Sequence, residues 1–80
     1  MGEVKYEIIE HVADIGENSK GWQKEVNVMT WGNSKNPCID IRRWNRSDES
    51  KIVAGKGITL TLDEFKILQK LNIKNIEKFF

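Results

Sequence analysis

The stretch Leu60-Thr61-Leu62-Asp63-Glu64-Phe65 constrains this 80-residue chain more tightly than any other. The Thr61 hydroxyl can cap a helix while Glu64, three residues on, reaches back to the cap nitrogen, which is the reciprocal bonding of a capping box. Leu60 before the cap and Phe65 after it supply the hydrophobic staple that fixes the entry angle. The preceding run, Gly55-Lys56-Gly57-Ile58-Thr59-Leu60, reads as a short strand, so a strand passes into a helix without a linker. Upstream, Cys38-Ile39-Asp40-Ile41-Arg42-Arg43-Trp44 reads as another strand. Ile39 and Ile41 alternate with Asp40 and Arg42, giving one apolar and one charged face, with Trp44 at the end of the charged one. The helix is expected to cover the apolar face.

The remaining segments are less sharply drawn. Tyr6 to Ile15 admits two readings: Ile8, Ile9, Val12 and Ala13 fit a helical stripe, whereas Ile9, His11, Ala13 and Ile15 fit a strand. Residues 16–21 form a turn or loop. Trp22 to Trp31 reads as a strand with Val26 and Val28 on one face and Glu25 and Asn27 on the other. Residues 32–37 suit a hairpin connection, and Pro37 is tolerated at a strand start. Asn45 to Lys51 is expected to be a mobile, charged loop. Leu62, Phe65, Leu68 and Leu71 have helical spacing, Asn72 weakens the helix, and Ile73, Ile76, Phe79 and Phe80 prolong its apolar face. One bent helix and two short ones both satisfy this pattern.

Eighty residues make one small domain whose core is marginal alone, because such a chain buries only about 60% of its unfolded surface. One cysteine excludes an internal disulfide framework and suits a reducing, cytoplasmic setting. No run approaches the ~20 apolar residues of a membrane span, and the acidic start does not resemble a signal peptide. The net charge of +1 hides a segregation. Residues 1–19 carry −4, residues 20–56 carry +4 and residues 57–80 carry +1, so the middle segment is a candidate polyanion surface.

Catalysis finds little support. His11 and Cys38 are the only histidine and cysteine, which leaves no His/Cys metal cluster within one chain. Cys38 has no evident base and reads as a small core residue. Asp48 and Glu49 have no aligned partner, and Gly55-Lys56-Gly57 lacks the Ser/Thr of a phosphate loop. Binding finds more. Proteins that hold single strands combine basic grooves with aromatic stacking faces. Lys20, Trp22, Lys24, Trp31, Lys35, Arg42, Trp44 and Lys56 interleave those two residue types. Strict alternation puts Trp22 and Lys24 on the Val26/Val28 side, so a bulge or twist must intervene for them to join the others.

The ordered set Lys20-Gly21-Trp22-Gln23-Lys24-Glu25, then Ile39-Asp40-Ile41-Arg42 with an aromatic after it, then Gly55-Lys56-Gly57-Ile58-Thr59-Leu60 before an acidic helix start, resembles a known family. It is similar to the single-stranded-DNA-binding core of the positive cofactor four transcriptional coactivators, and most to their short bacterial, YdbC-like members. The resemblance covers about residues 6–71. It implies a strand at Tyr6–Ile15 and hence an α+β fold: a curved four-stranded antiparallel sheet followed by a C-terminal helix (β-β-β-β-α), one face open to a ligand. It also implies a homodimer with a continuous channel. Trp31 takes the place of the family's stacking aromatic, and Arg42, Lys24 and Lys56 match its basic contacts. Lys35 is an approximate equivalent, and Trp44 matches to within one residue. Gly55 departs from the pattern, since many members carry arginine there.

The expectation is therefore a non-enzymatic, homodimeric protein binding single-stranded DNA with little sequence preference. It would have no cofactor, membrane or small-molecule substrate and would work in a bacterial cytosol or nucleoid, in transcription or DNA maintenance. RNA is an alternative ligand. A protein-interaction module using the tryptophans as anchors is an alternative of another class.

Overall fold

The computed structural model describes residues 5–16 and 18–80. Glu3 and Glu17 of the acidic segment lie outside them. β2 (Trp22–Trp31) is the longest strand and an inner one. β1 (Tyr6–Asp14) pairs with one edge, β3 (Cys38–Asn45) with the other, and β4 (Val53–Leu60) lies beyond β3. Every pairing is antiparallel. β1 and β2 are joined through Ser19-Lys20-Gly21-Trp22, where Lys20 (φ 54°) and Gly21 (φ 85°) both take the left-handed conformation that a two-residue hairpin turn requires.

The β2–β3 register runs unbroken from Trp22 opposite Asn45 to Met29 opposite Cys38. Alternation is therefore strict. Glu25, Asn27, Met29 and Trp31 share a face with Asp40, Arg42 and Trp44; Trp22, Lys24, Val26 and Val28 share the other with Ile39, Ile41 and Arg43. β1 is irregular. The register slips between Ile8 and Glu10 and again between His11 and Ala13, leaving Ile9 and Val12 as extra residues. Each slip is a bulge, and bulges bend a strand and increase its twist. A third lies in β4 opposite Arg43. Gly57 lets β4 press against β3, since a Cβ there would collide with Ile41 and Arg42.

The sheet consequently curls. Tyr6 pairs with Trp31 and Trp44 pairs with Gln23, positions that a flat sheet would hold about 26 Å apart. Instead the Tyr6 and Trp44 rings lie 5.1 Å apart, centroid to centroid, and Tyr6 lies 5.6 Å from Trp31. The charged face has become the concave, buried one. Trp44, Met29, Asn27 and Asp40 are fully enclosed, and Glu25 nearly so. Enclosing a large apolar side chain contributes roughly 1.5–3 kcal/mol, so Trp44 and Met29 are mainstays of the core. This corrects the expectation of an open charged face, because the bulges fold that face upon itself.

The apolar face is convex and only partly covered. Val26 is buried, Val28, Ile39, Ile41 and Leu60 are half-buried, and Ile9, Val12, Ile15 and Ile58 are exposed. Among the described residues, α1 (Leu62–Gln69) packs against β3 and β4 alone, and α2 (Ile73–Glu77) packs against no strand. The helix therefore covers less of this face than expected. Its start is as read: the Glu64 amide donates to Thr61 Oγ1 (3.1 Å) and the Thr61 amide to Glu64 Oε1 (2.8 Å). Asn72 interrupts the apolar run by capping a second helix, its Oδ1 accepting from the Lys74 amide at 2.9 Å. The loop after β3 is built from side-chain turns, Ser47 bonding to Asn45 and Ser50 to Asp48. Cys38 is half-buried, and burial, with Asp40 beside it, pushes its thiol above the ordinary range, which suits a core residue.

Candidate nucleic-acid interface

The eight sequence-predicted residues fall into three groups. Trp31, Arg42 and Trp44 lie on the concave wall. Trp22, Lys24 and Lys56 lie on the convex side, at the end of the sheet where Lys20 tips the β1–β2 turn. Lys35 stands exposed in the β2–β3 loop, at the opposite end of β2. No bulge in β2 brings Trp22 or Lys24 round to Trp31.

On the concave wall the charges are internally matched. Arg42 Nε donates to Asp40 Oδ1 at 2.6 Å, its Nη1 donates to the Gly55 carbonyl at 3.2 Å, and the guanidinium lies 4.6 Å over the Trp31 ring. Arg46 binds Glu25 through two hydrogen bonds and lies 5.3 Å over Trp44. Trp44 is fully buried and offers no ring face to a base in this structure. A chain of fixed polarity runs outward from Glu25. Its carboxylate only accepts, so Asn27 Nδ2 donates to it (3.2 Å), Asn27 Oδ1 faces His11, and His11 Nδ1–H donates in turn (2.7 Å). His11 Nε2 is then 3.2 Å from Asp14 Oδ1. His11, Asp14 and Glu25 could gather round a cation, but both Glu25 oxygens are already engaged by Arg46 and Asn27.

The convex cluster is different. Lys24 stands directly opposite Arg43 across the β2–β3 ladder, and the two share a shallow groove of about 380 Å³ with Lys56, Ile41 and Ile58. No carboxylate lines that groove, and among the described residues Lys24, Arg43 and Lys56 make no ion pair. Like charges directly opposite on a sheet are destabilising, so the fold carries this pair at a cost. Arg43 lies 5.2 Å over the Trp22 ring. Trp22 in turn occupies the space beside Gly55, where a Cβ would meet its ring. A side chain at position 55 would therefore have to displace Trp22. Arg43 is the residue that sequence reasoning missed. Its signal was available in the strand alternation, which puts Arg43 on the face of Lys24.

A family model described as Transcriptional Coactivator p15 (PC4) matches residues 18–71, more than half of the chain. The chain belongs to that family, one of transcriptional coactivators and DNA-binding proteins. No curated protein matches it. The matched span takes in β2, β3, β4 and α1 and so residues of both faces of the sheet.

Proposed function

We propose that this chain binds single-stranded DNA, without enzymatic activity, as a homodimer serving transcription or DNA maintenance. Family membership supports the DNA-binding class. The observation that carries the reading is the cross-strand pair Lys24–Arg43 with Lys56 beside it: three cations without an ion pair among the described residues, one of them, Arg43, lying over the half-buried Trp22 ring. Phosphates between these side chains would offset their repulsion, and an unpaired base could stack on Trp22, an arrangement a duplex cannot offer. Lys20, at the tip of the neighbouring turn, extends the positive field.

Dimerisation is supported by two uncovered apolar surfaces of one chain. The convex face over β1 and β2 lacks a helix, and α2 with Phe79 and Phe80 lacks a sheet. Each suits the other on a second copy related by a twofold axis. The test is a titration with single-stranded and duplex DNA of equal length over a range of salt. Tighter single-strand binding, with log K falling linearly in log salt, is expected. Equal affinities and equal slopes would mean that phosphates alone are read. Matched RNA oligonucleotides, which add the 2′-hydroxyl, distinguish the nucleic acids.

A further inference from the structure

The unpartnered polar atoms of the structure are concentrated on one wall. Asp40 Oδ2, Trp31 Nε1 and Trp44 Nε1 are all buried without a hydrogen-bond partner among the described residues, and all three lie on the concave face. Buried polar groups are ordinarily satisfied, so three orphans on one closed surface call for an explanation. Between them lies Arg42. Its guanidinium covers Trp31 as a nucleobase would, and Asp40 contacts it as a phosphate would. The grip is single: Nε alone meets Asp40 Oδ1, in place of the parallel two-bond fork that guanidinium and carboxylate form at their strongest. The Arg42 side chain keeps 16% of its surface exposed, while that of Asp40 is wholly enclosed.

We propose that Asp40 is an internal competitor for the nucleic-acid backbone, holding Arg42 over Trp31 in the free protein. A strand phosphate takes Arg42 from Asp40, and an unpaired base takes the uncovered Trp31 face. Opening also gives the two indole N–H groups access to polar partners. The proposal rests on the single-strand-binding reading and adds to it the residue that sets the resting state of the concave wall.

The experiment compares the parent protein with Asp40→Asn, using a single-stranded oligonucleotide over a range of salt. Asparagine keeps the side-chain shape and a carbonyl acceptor for Arg42 Nε but removes the competing charge. The variant is expected to bind several-fold more tightly, with a salt slope no shallower than the parent's, since the Arg42–phosphate contact is made in both complexes. Equal affinity and slope, or weaker binding at an unchanged slope, would overturn the proposal, the latter making Asp40 a positioning residue. Should the variant not fold, the Arg42 Nε–H resonance of the parent decides. It should shift when the oligonucleotide is added, and an unmoved resonance in a saturated complex overturns the proposal. A parent that binds no single strand sinks the functional reading and this proposal together. A parent that binds beside a variant that gains nothing sinks the proposal alone.

Discussion

The Arg46 guanidinium holds the Glu25 carboxylate with two hydrogen bonds, Nε to Oε2 at 2.9 Å and Nη2 to Oε1 at 3.1 Å. Glu25 is 3% exposed, whereas Arg46 keeps one side in solvent. The pair ties the loop after β3 to the middle of β2, and through Asn27 and His11 to β1. The ion pair and the hydrogen bonds that continue it thus link β1, β2 and the loop after β3 along the concave wall.

Arg46→Ala should destabilise the fold by about 3 kcal/mol, toward the lower end for breaking a buried pair, because water can reach part of the vacated site. The effect should depend on pH. Burial raises the Glu25 pKa, but hydrogen bonds from Arg46 and Asn27 and the nearby Arg46 charge outweigh it and leave the carboxyl below its ordinary value. The folded chain therefore binds fewer protons here than the unfolded one. The stabilisation is complete above the ordinary carboxylate range and is lost as pH falls through the lower folded value. Urea denaturation of parent and variant should show their largest gap near about pH 7 and a narrowing gap in acid. A gap that does not change with pH would remove Glu25 as its source.

Two tryptophans should part company. Trp44→Ala empties the centre of the concave wall and should cost about 3–5 kcal/mol, enough to abolish cooperative unfolding in a marginal domain of this size. Trp22 is half-buried, rests beside Gly55 and carries Arg43 on its ring. Trp22→Ala should leave a cooperative melt and weaken single-strand binding by about 1–3 kcal/mol. A Trp44→Ala protein that melts like its parent would show that the wall is open in solution.

What the sequence could and could not disclose follows from this curl. The Thr61–Glu64 capping box was legible because it is a local bond set, and the β2 and β3 boundaries because Val26, Val28, Ile39 and Ile41 alternate cleanly. β1 looked half helical for a physical reason. Its two bulges bring Ile9, Val12 and Ile15 to the convex side at spacings of three, which imitates a helical stripe. The inward turn of the charged face depends on those bulges and on tertiary closure by Tyr6, neither of which a single strand's pattern encodes. Hence the parity of Trp44 was read correctly and its burial was not.

The exposed apolar residues should measure the assembly. Ile76 and Phe79 lie on or beside α2, which among the described residues touches no strand. Ile76→Glu would place a charge in any interface formed there while removing nothing from the monomer's core. Sedimentation should give twice the 9.3 kDa chain mass for the parent and a shift toward the monomer for the variant. A parent that sediments as a monomer at micromolar concentration would leave the apolar convex face without its proposed cover.

Lys24→Thr separates a binding residue from a structural one by the sign of two effects. Lys24 faces Arg43 across the ladder, so its removal relieves a like-charge pair, and threonine is well suited to a strand. Among the described residues Lys24 makes no ion pair, so no favourable partner is lost there. Stability should therefore hold or rise, by about 0.2–1 kcal/mol. Binding should move the other way. One phosphate contact disappears, affinity falls for every sequence alike, and the salt slope shrinks by about 0.7. A merely structural lysine would lower stability or change nothing, and neither outcome pairs a firmer fold with a weaker grip. One thermal melt and one salt-dependent titration suffice. If Lys24→Thr binds as the parent does, with the same slope, the convex groove is not where the phosphates lie, and the Arg42 contact of the concave wall is left to hold the strand without it.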